Sequence, residues 1–597
     1  MKQRLSTPIR PGEPSLRLLA VALAAGLACP AAIAGSKTYT FDADFALGLI
    51  ENLNYTAVHN QLQVNLIGVG SKYIFVANHN EDSVSKFDTT SVLDPVTLAV
   101  LAPGKEVARY KTFAGNAGVS NGGHPSRIAI DVDGNAYVLN RMDGINAPPY
   151  LMKILVDNAI DRNGNAVIDT SEESNGTAGI QAAEMKPLTS NTNAGIGDER
   201  TAWIAPIGTG TSFGRSLCIA PDGKLWVGIW NQARYYRVDP ATGATLPIGP
   251  SSLPYVQLTS WNPYGCTVDK NGILWSATIG TGVGGLGRVD TNTGAFSQIG
   301  SPYHPYNYGI AQGNGKIYQA PYIGGYGWEA YDPVANTWAR SPDSYNGAGI
   351  AIDGAGNIIS TDYTGVRKYA PNGTLLWTAS EGGTTYGVMV DGNNDVWVMN
   401  LSFNTTKKYR GDTGQLIGTL PTGAYPYVYT DGSGLTTKNQ TNNKLGTWTV
   451  VYDSTAAGTQ WGKVNWTDFL PAGSSVDVVV RASDNPAALD LQTYVPVAKN
   501  TSFAATGRYI QVRTRLQSNT ANDSPILYDL TVSSAVAVCD IDTDGDIDTA
   551  DLNLIKAGVG KPVVPSDPRD ANGDGKITML DVRACTLICT RANCATQ

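Results

Sequence analysis

The chain of 597 residues is longer than one hydrophobic core supports, so it must hold several domains. With 66 Gly, 29 Tyr, 12 Trp and only 16% charged residues, its composition is that of an all-β exported protein. A net charge of −8 offers no basic surface to a nucleic acid. Beyond the N-terminal segment, no apolar run is long enough to span a membrane.

Residues 1–34 read as a signal peptide. Lys2, Arg4, Arg10 and Arg17 are followed by an apolar run (18–28) and by Ala32-Ile33-Ala34, an A-x-A cleavage site. The mature protein is therefore expected to be secreted, in the extracellular space or at the cell surface. Cys218 and Cys266 stand apart from the other cysteines and allow either a bridge or two buried thiols. Cys539, Cys585, Cys589 and Cys594 crowd the C-terminus, which favours two disulfides with three possible connectivities.

A phrase recurs through residues 45–430: an apolar strand, an Asp/Gly/Asn turn, then a strand carrying an aromatic residue. Examples are RIAIDVDGNAYVLN (127–140), LCIAPDGKLWVGIW (217–230) and YGVMVDGNNDVWVMN (386–400). The anchors Phe75, Tyr137, Trp226, Trp275, Tyr318, Ile359 and Trp397 lie 62, 89, 49, 43, 41 and 38 residues apart. The shorter gaps are the length of a four-stranded propeller blade. The spacing predicts a seven-bladed β-propeller, its ring closed by a strand from the far end of the region. The two long gaps are insertions after the third strand of a blade, at 91–105 and 157–198.

Connections in such a blade alternate between the two faces of the disc. The face opposite the Asp-Gly turns collects His124, His304 and Glu381 from blade crossings, with Arg215 and Trp261. It collects Trp230, Tyr322, Trp328 and Tyr363, with Tyr326, from loops between second and third strands. The aromatics make a candidate binding floor, and His with Glu is a pairing that can transfer protons. A His-Pro before a strand is equally a hydrogen-bonded turn.

The G-I-A-x-D-x-x-G-x-x-W/Y phrase, over about 50–430, resembles the NHL-like and streptogramin-lyase-like group of secreted bacterial propellers. That resemblance implies the fold. It would also imply metal-assisted β-elimination by histidines and an acid, but His124 and His304 fall in well-separated repeats.

The second insertion contains DRNGNAVIDTSE. Asp161, Asn163, Asn165, Val167 (through its carbonyl), Asp169 and Glu172 have the 1, 3, 5, 7, 9, 12 spacing of a calcium loop, with Ile168 at position 8. Ala166 stands where glycine is usual; an ordinary polar loop reads the same way. Asp198 and Glu199 are candidate neighbours.

From 445 to 534 the phrase gives way to alternating stretches such as SVDVVVRASD (475–484), which predict a β-sandwich. GRYIQVRTRL followed by SPILYDLTV resembles jelly-roll modules, which in that family bind glycans or act as spacers. Trp448, Trp461 and Trp466 fit either a core or a sugar platform.

In residues 536–597 two calcium-loop phrases lie 30 residues apart (570 − 540). The first places Asp540, Asp542, Asp544, Asp548 and Asp551 at positions 1, 3, 5, 9 and 12, with the Asp546 carbonyl at 7. The second places Asp570, Asn572, Asp574 and Asp581 at 1, 3, 5 and 12, with the Lys576 carbonyl at 7 and Thr578 at 9. Each loop feeds an apolar helical run. Paired loops with Asp at position 12 resemble a type I dockerin, which implies a small α-helical calcium-binding domain and a cohesin-like partner. In that family positions 10 and 11, here Thr549-Ala550 and Met579-Leu580, read the partner.

The sequence reading is thus an exported calcium-binding protein. Propeller and sandwich would form a recognition surface, with a polysaccharide as the candidate ligand, and the C-terminus would dock to a protein. A secreted lyase or glycan-active hydrolase is the alternative.

Overall fold

The computed structural model describes residues 36–596 except 55–57, 66–70, 94–99, 116–121, 143, 157, 174–178, 280–283, 304–305, 323–324, 441–444, 520–522, 536–538, 543–545, 564–566, 573 and 591. The N-terminal segment expected to be a signal peptide lies outside them. The chain is mainly β and forms two compact units, residues 35–535 and the C-terminal residues from Val536.

The repeat region folds as a β-propeller of antiparallel sheets that meander in sequence order. One is Pro125–Ile130, Ala136–Asn140, Tyr150–Ile154 and Thr201–Pro206; the next three begin at Gly214, Pro263 and Asn307. The strand Leu375–Val390 serves two consecutive meanders, so Ile350–Ile352 through Leu416–Pro421 form one continuous sheet. The first strand of each meander packs against the first strand of the next.

The recurring phrase has a side-chain explanation. In three copies the turn aspartate ties its own loop and holds the aromatic six residues on. Asp131 accepts from the amides of Asp133 and Asn135 and from the Tyr137 hydroxyl. Asp269 accepts from Asn271, Ile273 and the Trp275 indole, and Asp391 from Asn393, Asp395 and the Trp397 indole. Packing then buries those aromatics between sheets.

The ring closes through residues 425–433. Tyr427 donates its amide to Ala77 O, Phe75 to Gly432 O and Ser71 to Ser433 O, which makes this segment the inner strand beside Tyr73–Asn78. Cys218 and Cys266 bridge two adjacent inner strands, with Cα atoms 5.8 Å apart.

Residues 445–534 form two sheets packed on a common core, and residues 36–64 belong to them. Ser36–Tyr39 pairs with Ile526–Ser534, Leu49–Glu51 with Leu445–Asp453, and Leu62–Val64 with Ile526–Ser534. The sequence had assigned 45–64 to the repeats, because two- to four-residue strands carry too little pattern to reveal a partner four hundred residues away. Trp448, Trp461 and Trp466 are all buried between the sheets, so they are core and not a platform. A charged joint ties these sheets to the second insertion. Arg200 and Arg481 both bind Asp490, at 2.6 and 2.5 Å, and Arg481 also donates to Asn158.

In the C-terminal unit the helices Thr549–Gly558 and Met579–Thr586 each begin at a capping box, Asp548 with Asp551 and Thr578 with Asp581. Disulfides Cys539–Cys585 and Cys589–Cys594 close the unit around Ile547, Leu552, Ile555, Ile577 and Val582. Among the described residues no helix is long and apolar enough to cross a membrane.

Candidate functional site

Three places gather chemistry. The first is the pair of C-terminal loops. Asp551 is wholly buried; one of its oxygens accepts the amides of Ile541 and Asp542, the other that of Asp548. Asp540, Asp542 and Asp551 bring carboxylate oxygens within 4.8 Å of one another, and so do Asp546, Asp548 and Asp551. All of these but Asp542 are buried. Like charges this close in a low-dielectric setting must take up a proton or a cation. Hard oxygens in this number fit calcium. Asp544 lies outside the described residues.

In the second loop Asp581 repeats the arrangement, accepting from Asn572 and Thr578. Asp570 accepts from Asp574 and Gly575, and Asp574 from the Lys576 amide. Here Asp570, Asn572, Asp574 and Lys576 lie at or near the surface.

The inserted loop keeps the same inner weave. Asp161 accepts from Gly164 and Ala166, Asn163 from Asn165, and Asn165 from Val167. Ala166 takes the left-handed turn (φ 60°) that glycine usually supplies. The closing acid differs from the sequence expectation. Glu172 bonds Arg200 at 3.1 Å, while its backbone bridges to Ala108. It is Glu199 whose carboxylate takes the amides of Arg162 and Asp169, loop positions 2 and 9, at 2.8 Å each. Those are the amides that Asp551 binds in the C-terminal loop, apart from the one at position 3. Asp169 also receives Lys186 at 2.9 Å, and that bond, with others from Asn163 and Asn165, holds its carboxyl down to about 2.

The third place is the mouth of the ring on the face opposite the Asp-Gly turns. Five inner strands break register at the same point of their pairing with the second strand, after the first paired residue. The residues skipped there are Ser126, Arg215, Tyr264, Tyr308 and Tyr386. A bulge re-aims its side chain, and here it turns three tyrosines and an arginine to the mouth. Glycine follows each tyrosine, and at Gly309 and Gly387 the neighbouring backbone leaves no room for a side chain. A Cβ on Gly309 would stand 2.5 Å from Ala348 O, and one on Gly387 would overlap Val428 O.

The closing strand adds Tyr425, Tyr427 and Tyr429 on one face by simple alternation. Tyr308 packs on Tyr322, Tyr386 and Tyr429, with ring centroids 5.0, 5.7 and 4.4 Å apart. Tyr363 meets Tyr386 edge-on and donates to Tyr322 O. Trp230 borders the cluster, its indole donating to Ile279 O.

His124 is buried and stacks on His79 at 4.3 Å, and its amide donates to Asp82. Burial, aided by Arg141, pushes His79 down to about 3, so its imidazole is neutral at physiological pH. Glu381 is buried in an ion pair with Lys407 at 3.0 Å and also accepts from Tyr409. Trp328 is sealed in the core against Tyr318 and Tyr369 and presents no surface to a ligand. Trp261 is likewise core, and His304 lies outside the described residues. Sequence reasoning missed His79, Arg127, Arg141 and the tyrosines at 264, 308, 386, 427 and 429. The Tyr-Gly pairs heading three repeats and the alternating YPYVY were the available signal.

No protein-family model matches the chain, and no curated protein is similar to it. Among solved structures it is similar to virginiamycin B lyase from Staphylococcus aureus at 12% identity, covering 50% of this chain and 84% of that one with a TM-score of 0.36. It is also similar to Kuenenia stuttgartiensis hydrazine synthase (11% identity, 54% and 92% covered, TM-score 0.35) and to Citrobacter koseri AztD (9% identity, 60% and 96% covered, TM-score 0.35).

Proposed function

We propose that the chain is an exported, calcium-stabilised recognition protein in three parts. These are a seven-bladed propeller with an aromatic mouth as its binding surface, a β-sandwich packed beside it, and a dockerin-like calcium module for attachment to a cohesin-like protein. The convergence of buried carboxylates on Asp551 carries the calcium reading. Calcium would also occupy the inserted loop, with Glu199 in place of Glu172 as the closing ligand and Lys186 as a competitor for Asp169. Three disulfides support an oxidising compartment.

Docking is supported by an apolar stretch on the second C-terminal helix and just beyond it, where Met579, Leu580, Leu587 and Ile588 are all exposed. The matching position in the first loop, Thr549, is tied to Cys594 O, so the two copies present different surfaces. The test is a pull-down with the whole mature chain against a panel of cohesin domains. Calcium-dependent capture that Met579→Glu with Leu580→Glu abolishes supports docking; capture that persists without calcium, or none from any cohesin, defeats it. Catalysis at the mouth has less support, since Glu381 is committed to Lys407 and His79 is held neutral.

A further inference from the structure

Arg127 is completely buried, yet its partners include no carboxylate. From the inner strand Pro125–Ile130 it reaches across the mouth and donates to Arg215 O and Tyr264 O on the next two inner strands. Its guanidinium carbon lies 3.4 Å from the Tyr429 ring centroid and 5.1 Å from that of Tyr264. One of its terminal nitrogens, Nη1, is buried with no hydrogen bond among the described residues. Carbonyls and ring faces compensate a buried cation only in part.

Two more guanidiniums stand on the same aromatic wall and are only partly buried. Arg215 lies 5.3 Å from the Tyr264 ring and donates to its hydroxyl at 3.2 Å; Arg141 lies 5.3 Å from the Tyr427 ring and 3.2 Å from His79 Nε2. Burial pushes Tyr264 up, but Arg215, Arg141 and Arg127 outweigh it and hold the phenol below its ordinary value. Three guanidiniums thus gather on one aromatic wall. Asp82, the acid beside His124, is raised by burial and accepts the His124 amide.

The arginines run directly into the tyrosine floor. Arg141 continues through Tyr427 to Tyr386, and Arg215 through Tyr264 to Tyr308 and Tyr322. A forked guanidinium matches a carboxylate or a sulfate ester. Half-exposed tyrosine rings beside it suit the C–H faces of a sugar. A long polyanion would meet a chain of net charge −8, so attraction is confined to the mouth and favours short-range contact.

We propose that the mouth of the ring binds an acidic saccharide, its carboxylate or sulfate held by Arg141 and Arg215 and its sugar faces stacked on Tyr322 and Tyr386. This names the ligand class for the recognition surface proposed above and rests on that reading. The mature chain, with calcium present, is titrated calorimetrically with tetragalacturonate, a sulfated dextran oligomer and cellotetraose. Tetragalacturonate or the sulfated oligomer should bind and cellotetraose should not, with affinity falling as salt rises. Whichever acidic probe binds identifies the anion.

Arg141→Gln and Arg215→Gln should each weaken binding by about tenfold or more, the scale of a lost charge-assisted hydrogen bond. Arg215→Lys should recover part of the loss. Cellotetraose binding as tightly as the acidic probes overturns the acidic class and leaves the recognition surface standing. Binding that neither arginine variant weakens also overturns it, as does an affinity indifferent to salt, a readout that needs no variant. If none of the three saccharides binds, the inference and the recognition reading both fall.

Discussion

The inserted loop and the C-terminal loops follow one calcium template and solve its charge problem differently. At 540–551 every ligand candidate lies within twelve residues, and the carboxylates of Asp540, Asp546, Asp548 and Asp551 are buried close to one another. At 161–172 the closing acid comes from 27 residues beyond Glu172 (199 − 172), and Lys186 already sits on Asp169. The first arrangement leaves its charge to a proton or an external cation; the second is partly neutralised by its own Lys186. Glu329 shows the remaining option. Buried, with Ser301 and Asn307 as its donors among the described residues, it is raised to about 7 by burial and holds a proton below that pH. Ion, lysine and proton are three ways to house a carboxylate, and ligand spacing alone does not distinguish them.

The comparison can be broken most severely at Asp551. Asp551→Asn should abolish calcium binding at the first C-terminal loop and unfold Thr549–Gly558, seen as lost amide-exchange protection there. Retained protection would mean that the acids do not need an ion.

Next in size is Glu329. Its raised value means that the unfolded chain ionises first as pH rises, so stability is greatest below about pH 4.5 and declines through pH 7. Glu329→Gln should match the parent near pH 4 and exceed it above pH 7 by on the order of 3 kcal/mol. Ser301 can accept from the new amide nitrogen while Asn307 still donates to its oxygen. Equal denaturant midpoints at pH 8 would remove the proton from the comparison.

Glu199→Gln turns one of the two acceptor oxygens into an amide nitrogen, leaves the Arg162 or the Asp169 amide without its partner, and should cost about 1 kcal/mol and weaken calcium at that loop. Glu172→Gln should leave calcium affinity there unchanged. The reverse result would restore Glu172 as the ligand. The smallest expected effect is Lys186→Met, which should tighten calcium at the inserted loop several-fold without touching the C-terminal loops. An unchanged affinity would show that the lysine does not compete.

How much of this was legible depended on distance along the chain. The repeat phrase is local: an aspartate, its turn and the aromatic six residues on are one hydrogen-bonded unit. The two C-terminal loops are equally local. Glu199 was invisible as a partner of the inserted loop because it arrives through tertiary structure. The strands of 36–64 are too short to show a period. The mouth was half legible. Trp230, Tyr322 and Tyr363 do stand at the tyrosine cluster, but alternation misassigns residues at a bulge, so Tyr264, Tyr308 and Tyr386 went unread. Trp328 and Glu381 failed as site candidates for the opposite reason. A loop position near a face says nothing of what the core recruits, and one is sealed between sheets while the other is spent on Lys407.

The most direct test of the account is a calorimetric unfolding scan of the mature chain with saturating calcium and again with excess chelator. The expected result is a calcium-dependent transition that moves by well over ten degrees and maps, by amide exchange, to residues 539–596, while the main transition of residues 36–535 shifts far less. Identical scans under the two conditions would contradict the claim that the buried C-terminal carboxylates are calcium ligands.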